Sequence, residues 1–150
     1  MNLFWAPGLV AHFGSAADPA DAIRQVGRLL VTAGAATPEH VEAAVERELK
    51  QPTGLPAAVP FALVHTDAAG ALKPAAALGV FARPVPFRRM DDPWQVLPVR
   101  LVVMLCLPER SRQAETLGGL IRTLADGPLA ARLLELSPAR ARRLLATRAA

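Results

Sequence analysis

The sequence predicts a single-domain α/β fold over residues 1–150, a layered sandwich with a mixed β-sheet flanked by helices. Three observations indicate this class. Helical periodicity lies near both ends of the chain, short apolar runs typical of strands lie in the middle, and 52% hydrophobic against 20% charged residues suits a compact core. The order of strand, helices, strands and helices then favours a mixed sheet layered with helices.

The first third of the chain predicts two helices, and residues 9–13 before them can supply an edge strand. Asp18-Pro19 and Thr37-Pro38 each place a capping side chain before a proline at the first helical position. Apolar residues then recur every three or four positions, which is typical of an amphipathic helix. The first helix is predicted to end near Gly34 and the second near Pro52.

The middle of the chain predicts strands in short apolar runs that proline and glycine interrupt. These runs are 59–65, 75–81, 85–87 and 99–107. The last is apolar almost throughout, which indicates a central strand covered on both faces. From Ser111 onward the helical period returns in three groups of leucines, and a cap at Ser137-Pro138 precedes the last group.

Composition and charge narrow the range of functions. The net charge of +4 favours anionic partners in general. Four arginines near the C-terminus predict a solvated basic face rather than a nucleic-acid site, because aromatic residues make up only 5% of the chain. The longest apolar run is far too short to cross a membrane, and no basic segment precedes the first apolar residues. We therefore expect a cytoplasmic protein that binds no nucleic acid.

The sequence predicts neither a metal site nor a cofactor. His12 and His40 have no partners at ligand spacing, and Cys106 is the single cysteine. Cys106 lies inside an apolar run, which favours a buried core residue. The chain also lacks a glycine-rich phosphate loop, so the sequence does not support an ATP-dependent kinase.

The candidate site centres on His65, at the downstream end of the predicted strand 59–65. A neutral imidazole is a good nucleophile near neutral pH and can accept a phosphoryl group without a metal. Arg47 offers a planar fork of donors and Thr66 a hydroxyl, which would spread the charge of the phosphoryl oxygens. Asp67 would either hold the imidazole tautomer or cap a turn, and Glu48 is interpreted as a helix-terminal charge.

A histidine at this position is equally compatible with a partly exposed residue that has no function. Arg47 and the Pro52-Thr53-Gly54-Leu55 turn favour the functional interpretation, because an arginine near the imidazole suits an anionic group. Phosphate is the commonest such group that histidine binds covalently. The leading hypothesis is therefore a phosphohistidine protein.

These residues also resemble a known family. Arg47-Glu48, a short spacer, Pro52-Thr53-Gly54-Leu55 and then His65 resemble the enzyme IIA domain of the fructose-mannitol type in the phosphoenolpyruvate-dependent sugar phosphotransferase system. The triplet His65-Thr66-Asp67 is most similar to galactitol-like members. The resemblance extends over nearly the whole chain, from the helix pair before the motif, through the Met90-Asp91 turn, to Leu124-Ala125-Asp126.

The resemblance implies a phosphocarrier that works without a cofactor. Such a domain accepts a phosphoryl group from the histidine phosphocarrier protein on the histidine that maps to His65, and Arg47 maps to the family's arginine. It passes the group to a cysteine of enzyme IIB, and the membrane enzyme IIC couples that transfer to sugar uptake. Fold and histidine would equally fit a regulatory module of the nitrogen-related kind, whose phosphorylation state controls partner binding.

Two positions depart from the family's pattern. Many members have a second histidine where this chain has Gln113, and glutamine offers a neutral amide donor to a phosphoryl group. Leu63-Val64 precedes His65 where the family usually has Ile-Pro, so this chain keeps a backbone N–H that proline would remove.

Overall fold

The fold contains five strands and five α-helices over residues 5–148, which the computed structural model describes. The strands are β1 (Val10–Phe13), β2 (Gly54–Leu55), β3 (Phe61–Val64), β4 (Ala75–Arg88) and β5 (Val96–Cys106). The helices are α1 (Pro19–Thr32), α2 (Pro38–Lys50), α3 (Gln113–Ala125), α4 (Gly127–Glu135) and α5 (Pro138–Arg148).

The sheet is mixed, and its strands lie in the order β1-β4-β5-β3-β2. β1 is parallel to β4 and β3 is parallel to β5, whereas the β4–β5 and β2–β3 pairs are antiparallel. Helices cover both faces of this sheet. The predicted α/β class, with a mixed sheet flanked by helices, is confirmed.

Two hydrophobic layers form because successive side chains of a strand point to opposite faces. In β3, Ala62 and Val64 pack in the layer with α1 and α2, and Phe61 and Leu63 pack in the layer with α3, α4 and α5. β5 is the middle strand, and its last six residues are all buried. This confirms the central strand that the long apolar run predicts, and Cys106 is a buried core residue at its end.

Strand boundaries differ from the prediction at several places, and β5 begins at Val96 rather than at residue 99. The predicted strands 75–81 and 85–87 are one strand, β4, because a register shift between Val80 and Val85 lets the chain continue past exposed residues. Gly54, expected in a tight turn, instead pairs with Ala62 as part of β2. The predicted strand 59–65 contracts to β3, so His65 is the first residue beyond it.

The predicted helix caps form as expected. The side chains of Asp18, Thr37 and Ser137 each accept a hydrogen bond from a backbone N–H three residues on. A fourth cap that the sequence reasoning missed, at Asp126, begins α4 in the same way. None of the helices in residues 5–148 has both the length and the apolar character that a bilayer crossing requires.

The topology fixes which loops meet at the functional edge. Because β3 and β5 are parallel neighbours, their carboxyl ends lie at the same edge of the sheet. The loop after β3 begins with His65, and the segment after β5 forms the 3-10 turn Arg110–Arg112 before α3. Two segments that are distant in sequence are therefore adjacent in space.

Candidate active site

His65 lies directly after β3, with its ring partly buried at the sheet edge. Its Nδ1 atom is 3.0 Å from the carbonyl oxygen of Leu63. Since a carbonyl only accepts hydrogen bonds, Nδ1 bears the proton and donates it. The other ring nitrogen, Nε2, then keeps its lone pair and is the nucleophilic atom.

Burial lowers the pKa of His65 below its ordinary value of 6.5, because the charged imidazolium loses solvation. The positive charge of Arg47 lowers this pKa further. The Leu63 carbonyl and the Asp67 carboxylate act in the opposite direction, and burial is the largest effect. The ring is therefore neutral at neutral pH, which is the protonation state that a nucleophile needs.

Arg47 lies in the last turn of α2 and borders a cleft of about 380 Å³ beside the loop after His65. The residues that line this cleft are Ala43, Glu46, Arg47, Lys50, Gln51, Thr66, Asp67 and Ala68. The helical members recur at spacings of three and four, which places them on one face of α2. The sequence analysis named Arg47, and this spacing could also have indicated Lys50.

The two residues after His65 shape the loop. The Thr66 hydroxyl accepts a hydrogen bond from the backbone N–H of Ala68, at 3.2 Å, and so closes a turn. Asp67 Oδ2 accepts a hydrogen bond from Arg110 Nη2, at 3.0 Å. Asp67 therefore has neither of the two roles that the sequence suggested. The Leu63 carbonyl fixes the tautomer of His65, the Thr66 hydroxyl closes the turn, and the Asp67 carboxylate bonds the segment before α3.

Glu48 is a helix-terminal residue, as the sequence suggests, but it is buried, with 6% of its surface exposed. Its carboxylate accepts hydrogen bonds from the Thr53 backbone N–H at 2.9 Å and from the Thr53 hydroxyl at 2.7 Å. Burial raises the pKa of Glu48, and both bonds from Thr53 lower it. The Arg-Glu pair thus has two separate tasks: Arg47 faces the cleft, and Glu48 ties the end of α2 to β2.

His40 supports the loop after His65, a role that the sequence reasoning missed. The residue is buried, and its Nδ1 lies 3.1 Å from the carbonyl oxygens of both Ala68 and Ala69. Gly70 follows these two carbonyls with a φ of +110°, a backbone conformation that favours glycine. A Cβ at this position would lie only 2.3 Å from Thr37 Oγ1, so the loop packs directly against the start of α2. The beginning of α2 therefore holds the far end of the loop that starts at His65.

Gln113, the position where many relatives have a second histidine, is the first residue of α3 and is partly buried. Its backbone N–H donates to the carbonyl of Arg110. Arg110 was not singled out from the sequence, although it belongs to the segment that follows the parallel neighbour of β3. The order of the strands, which no local pattern reports, is what brings Arg110 to Asp67.

A neutral imidazole at a strand end, with an arginine in the adjacent cleft, is the arrangement expected of one class of protein, those that transfer an anionic group by way of histidine. The family comparison agrees with this class. Residues 8–145 match the model of the family described as "Phosphoenolpyruvate-dependent sugar phosphotransferase system, EIIA 2". The chain belongs to this family of phosphotransfer proteins. A search of curated proteins by sequence found no match.

Solved structures of similar fold include the mannitol IIA of Escherichia coli, with a TM-score of 0.73, 23% identity and coverage of 94% of this chain and 96% of that chain. The same enzyme in complex with phosphorylated mannitol enzyme IIB gives a TM-score of 0.72, 22% identity and coverage of 95% and 96%. The nitrogen regulatory protein IIA-Ntr of Neisseria meningitidis gives a TM-score of 0.70, 20% identity and coverage of 95% and 93%. At these identities the likeness establishes the fold.

Proposed function

We propose that this protein is a phosphocarrier that accepts a phosphoryl group on His65 from the histidine phosphocarrier protein and passes it to a cysteine of an enzyme IIB. The observation that supports this most strongly is the hydrogen bond from His65 Nδ1 to the Leu63 carbonyl, because it leaves Nε2 as the free nucleophile. Burial keeps the ring neutral, and Arg47 supplies a permanent positive charge at the adjacent cleft.

The proposed step is an in-line displacement at phosphorus. The lone pair of Nε2 forms a new P–N bond while the P–N bond to the donor histidine breaks, and the donor nitrogen takes back its electron pair. The ring gains positive charge as the bond forms, and the Nδ1–H bond to the Leu63 carbonyl stabilises that charge. Arg47, the Thr66 hydroxyl and the Gln113 amide are the proposed donors to the phosphoryl oxygens.

The proposed acceptor is an enzyme IIB, which would in turn phosphorylate a sugar carried by the membrane enzyme IIC. The solved complex of the Escherichia coli mannitol IIA with phosphorylated IIB shows that a protein of this fold assembles with such a partner. The triplet His65-Thr66-Asp67 supports a galactitol-like alditol or sugar as the transported substrate. We further propose that the transfer takes place in the cytoplasm, where donor and acceptor proteins of this kind would meet.

The test is incubation with phosphoenolpyruvate, enzyme I and the histidine phosphocarrier protein, followed by intact mass measurement. We expect the wild type to gain one phosphoryl group, His65→Ala to gain none, and His12→Ala, on the edge strand, to match the wild type. No gain by the wild type in the presence of active donors would overturn the proposal. A full gain by His65→Ala would move the phosphorylation to another residue.

Purified enzyme IIB proteins of the galactitol and mannitol types then test the acceptor. We expect loss of the phosphoryl group to the galactitol-type cysteine and faster transfer there than to the mannitol-type cysteine. A phosphorylated protein that transfers to neither would favour the regulatory module of the nitrogen-related kind. The fold likeness to the nitrogen regulatory protein IIA-Ntr of Neisseria meningitidis keeps that module as the alternative.

A further inference from the structure

An ion pair joins the loop after His65 to the turn before α3. Arg110 Nη2 lies 3.0 Å from Asp67 Oδ2, and the two side chains are 75% and 56% exposed. Ion pairs as exposed as this contribute little to folding stability, because water screens the charges and both side chains lose rotamer freedom. This ion pair is therefore expected to change the charge around His65 more than the free energy of unfolding.

Asp67 is an unexpected neighbour for a histidine that receives an anion. It follows His65 by two residues and lines the same cleft as Arg47. Its negative charge raises the pKa of His65, which indicates that its field reaches the imidazole. That field would repel an incoming phosphoryl group and, once the group had been transferred, the phosphorylated ring.

We propose that Arg110 is a positioning residue that neutralises Asp67, so that the site of His65 tolerates a phosphoryl group. The inference rests on the proposed function and extends it, because it assigns to the site a second cation, from the turn before α3. Arg47 acts from α2 and Arg110 acts through Asp67 from the turn before α3. Together they would offset both the phosphoryl group and the carboxylate beside it.

The neighbouring arginine provides a matched control. Arg112 lies on the same 3-10 turn, carries the same charge and is 56% exposed. Its guanidinium pairs with Glu109 at 3.4 Å, a residue of its own turn. Removing Arg112 changes the net charge of the protein as much as removing Arg110 does, but it leaves Asp67 paired.

The first test follows phosphoryl gain from the phosphorylated histidine phosphocarrier protein by intact mass, at low ionic strength, in a double-mutant cycle. We expect Arg110→Ala to slow the gain about two- to fivefold, the range for losing an exposed charge pair. In the Asp67→Asn background the same change should have no effect, since no carboxylate remains to neutralise. Arg110→Lys should retain most of the rate, and Arg112→Ala should match the wild type. Equal slowing in both backgrounds, or by Arg112→Ala, would overturn the proposal.

The second test needs no phosphorylation and so separates this inference from the proposed function. The titration of the His65 ring is followed by NMR in the same variants. We expect Arg110→Ala to shift the midpoint upward, because the unpaired carboxylate favours the imidazolium, and Asp67→Asn to abolish that shift. An unchanged midpoint in Arg110→Ala would overturn the inference even if the wild type is phosphorylated. The expected shift would support it even if phosphorylation fails.

Discussion

At the scale of single residues, the protonation state of His65 would set the pH range of the proposed phosphoryl transfer. Burial and Arg47 lower the pKa of the ring below 6.5, so the neutral nucleophile should persist as the pH falls through that value. We expect the NMR titration midpoint of His65 to lie below 6.5 and the rate of phosphoryl gain to fall to half its plateau only below that pH. A midpoint at or above 6.5 would contradict the burial argument.

The same lowered pKa has a consequence for stability. The unfolded chain takes up a proton on this histidine at a higher pH than the folded protein does, so the free energy of unfolding should decrease as the pH falls through 6.5. The decrease should end below the folded pKa, where both states are protonated. His65→Ala should remove this part of the pH dependence, as denaturation by urea at several pH values would show.

Arg47 is the residue whose loss should affect the chemistry most directly after His65 itself. Arg47→Ala should slow phosphoryl gain by about 10- to 100-fold, corresponding to roughly 1.5–3 kcal/mol for a hydrogen bond to a charged group. The rate of phosphoryl gain for Arg47→Lys should lie between those of the wild type and Arg47→Ala, because lysine keeps the charge and loses the planar fork of donors. Arg28→Ala on α1, an exposed arginine outside the cleft, is the control. A rate unchanged in Arg47→Ala would exclude the proposed role.

At the scale of elements, the junction of α2 and β2 holds Arg47 in place. Glu48 accepts both donors of Thr53, and Arg88 Nη2 donates to the carbonyl of Leu49 at 2.6 Å, next to the end of the helix. Gly54 then passes so close to β4 that a Cβ would lie 2.6 Å from the Arg88 carbonyl oxygen. At Gly54 the backbone therefore packs directly against the backbone of β4, and this close contact orients the last turn of α2.

Gly54→Ala should lower the free energy of unfolding by about 1–3 kcal/mol, because the added methyl group must displace backbone. Gly118→Ala is the opposite case, since the nearest atom to its Cβ is the end of the flexible Arg122 side chain at 3.4 Å. Within α3 that change should stabilise by about 0.5–1 kcal/mol. Urea denaturation measures both, and a Gly54→Ala protein as stable as the wild type would show that this close contact can relax.

The elements also show what could be predicted from the sequence. The caps at Asp18, Thr37 and Ser137 are local, and the structure confirms each of them. The predicted break between residues 81 and 85 was wrong, because β4 continues there through a register shift, and such a shift depends on the partner strand rather than on the local sequence. A two-residue strand such as β2 is defined by its pairing and has no period of its own.

At the scale of the whole molecule, the sheet order decides which parts of the site could be anticipated. His65 and Arg47 were predictable because one ends an apolar run and the other precedes a motif close in sequence. The pairing of Arg110 with Asp67 and the contact of His40 with the 66–70 loop depend on packing between distant segments. Such contacts can be predicted from a single sequence only once the order of the strands in the sheet is known. Their functional roles, like those of the predicted site residues, remain predictions for the experiments above.

The shared central sheet should also make the two helical layers unfold as one unit. β5 contributes to both cores, with Val102 and Met104 on the side of α1 and α2, and Leu101 and Val103 on the side of α3 to α5. Trp5 is 5% exposed and packs in the hydrophobic layer with α3, α4 and α5, so its fluorescence reports on that layer. Trp94 is 95% exposed, and replacing it with phenylalanine leaves Trp5 as the single reporter.

In a Trp94→Phe protein, Leu30→Ala on α1 should lower the free energy of unfolding by about 2–5 kcal/mol, because Leu30 is fully buried in the other hydrophobic layer, the one with α1 and α2. If the sheet couples the layers, Trp5 fluorescence and far-ultraviolet circular dichroism will shift to the same lower urea midpoint. A Trp5 transition that stays at the midpoint of the parent protein would show instead that the layers unfold separately. The edge where His65, α2 and the turn before α3 meet would then depend on two independent stabilities, because residues from both layers build it.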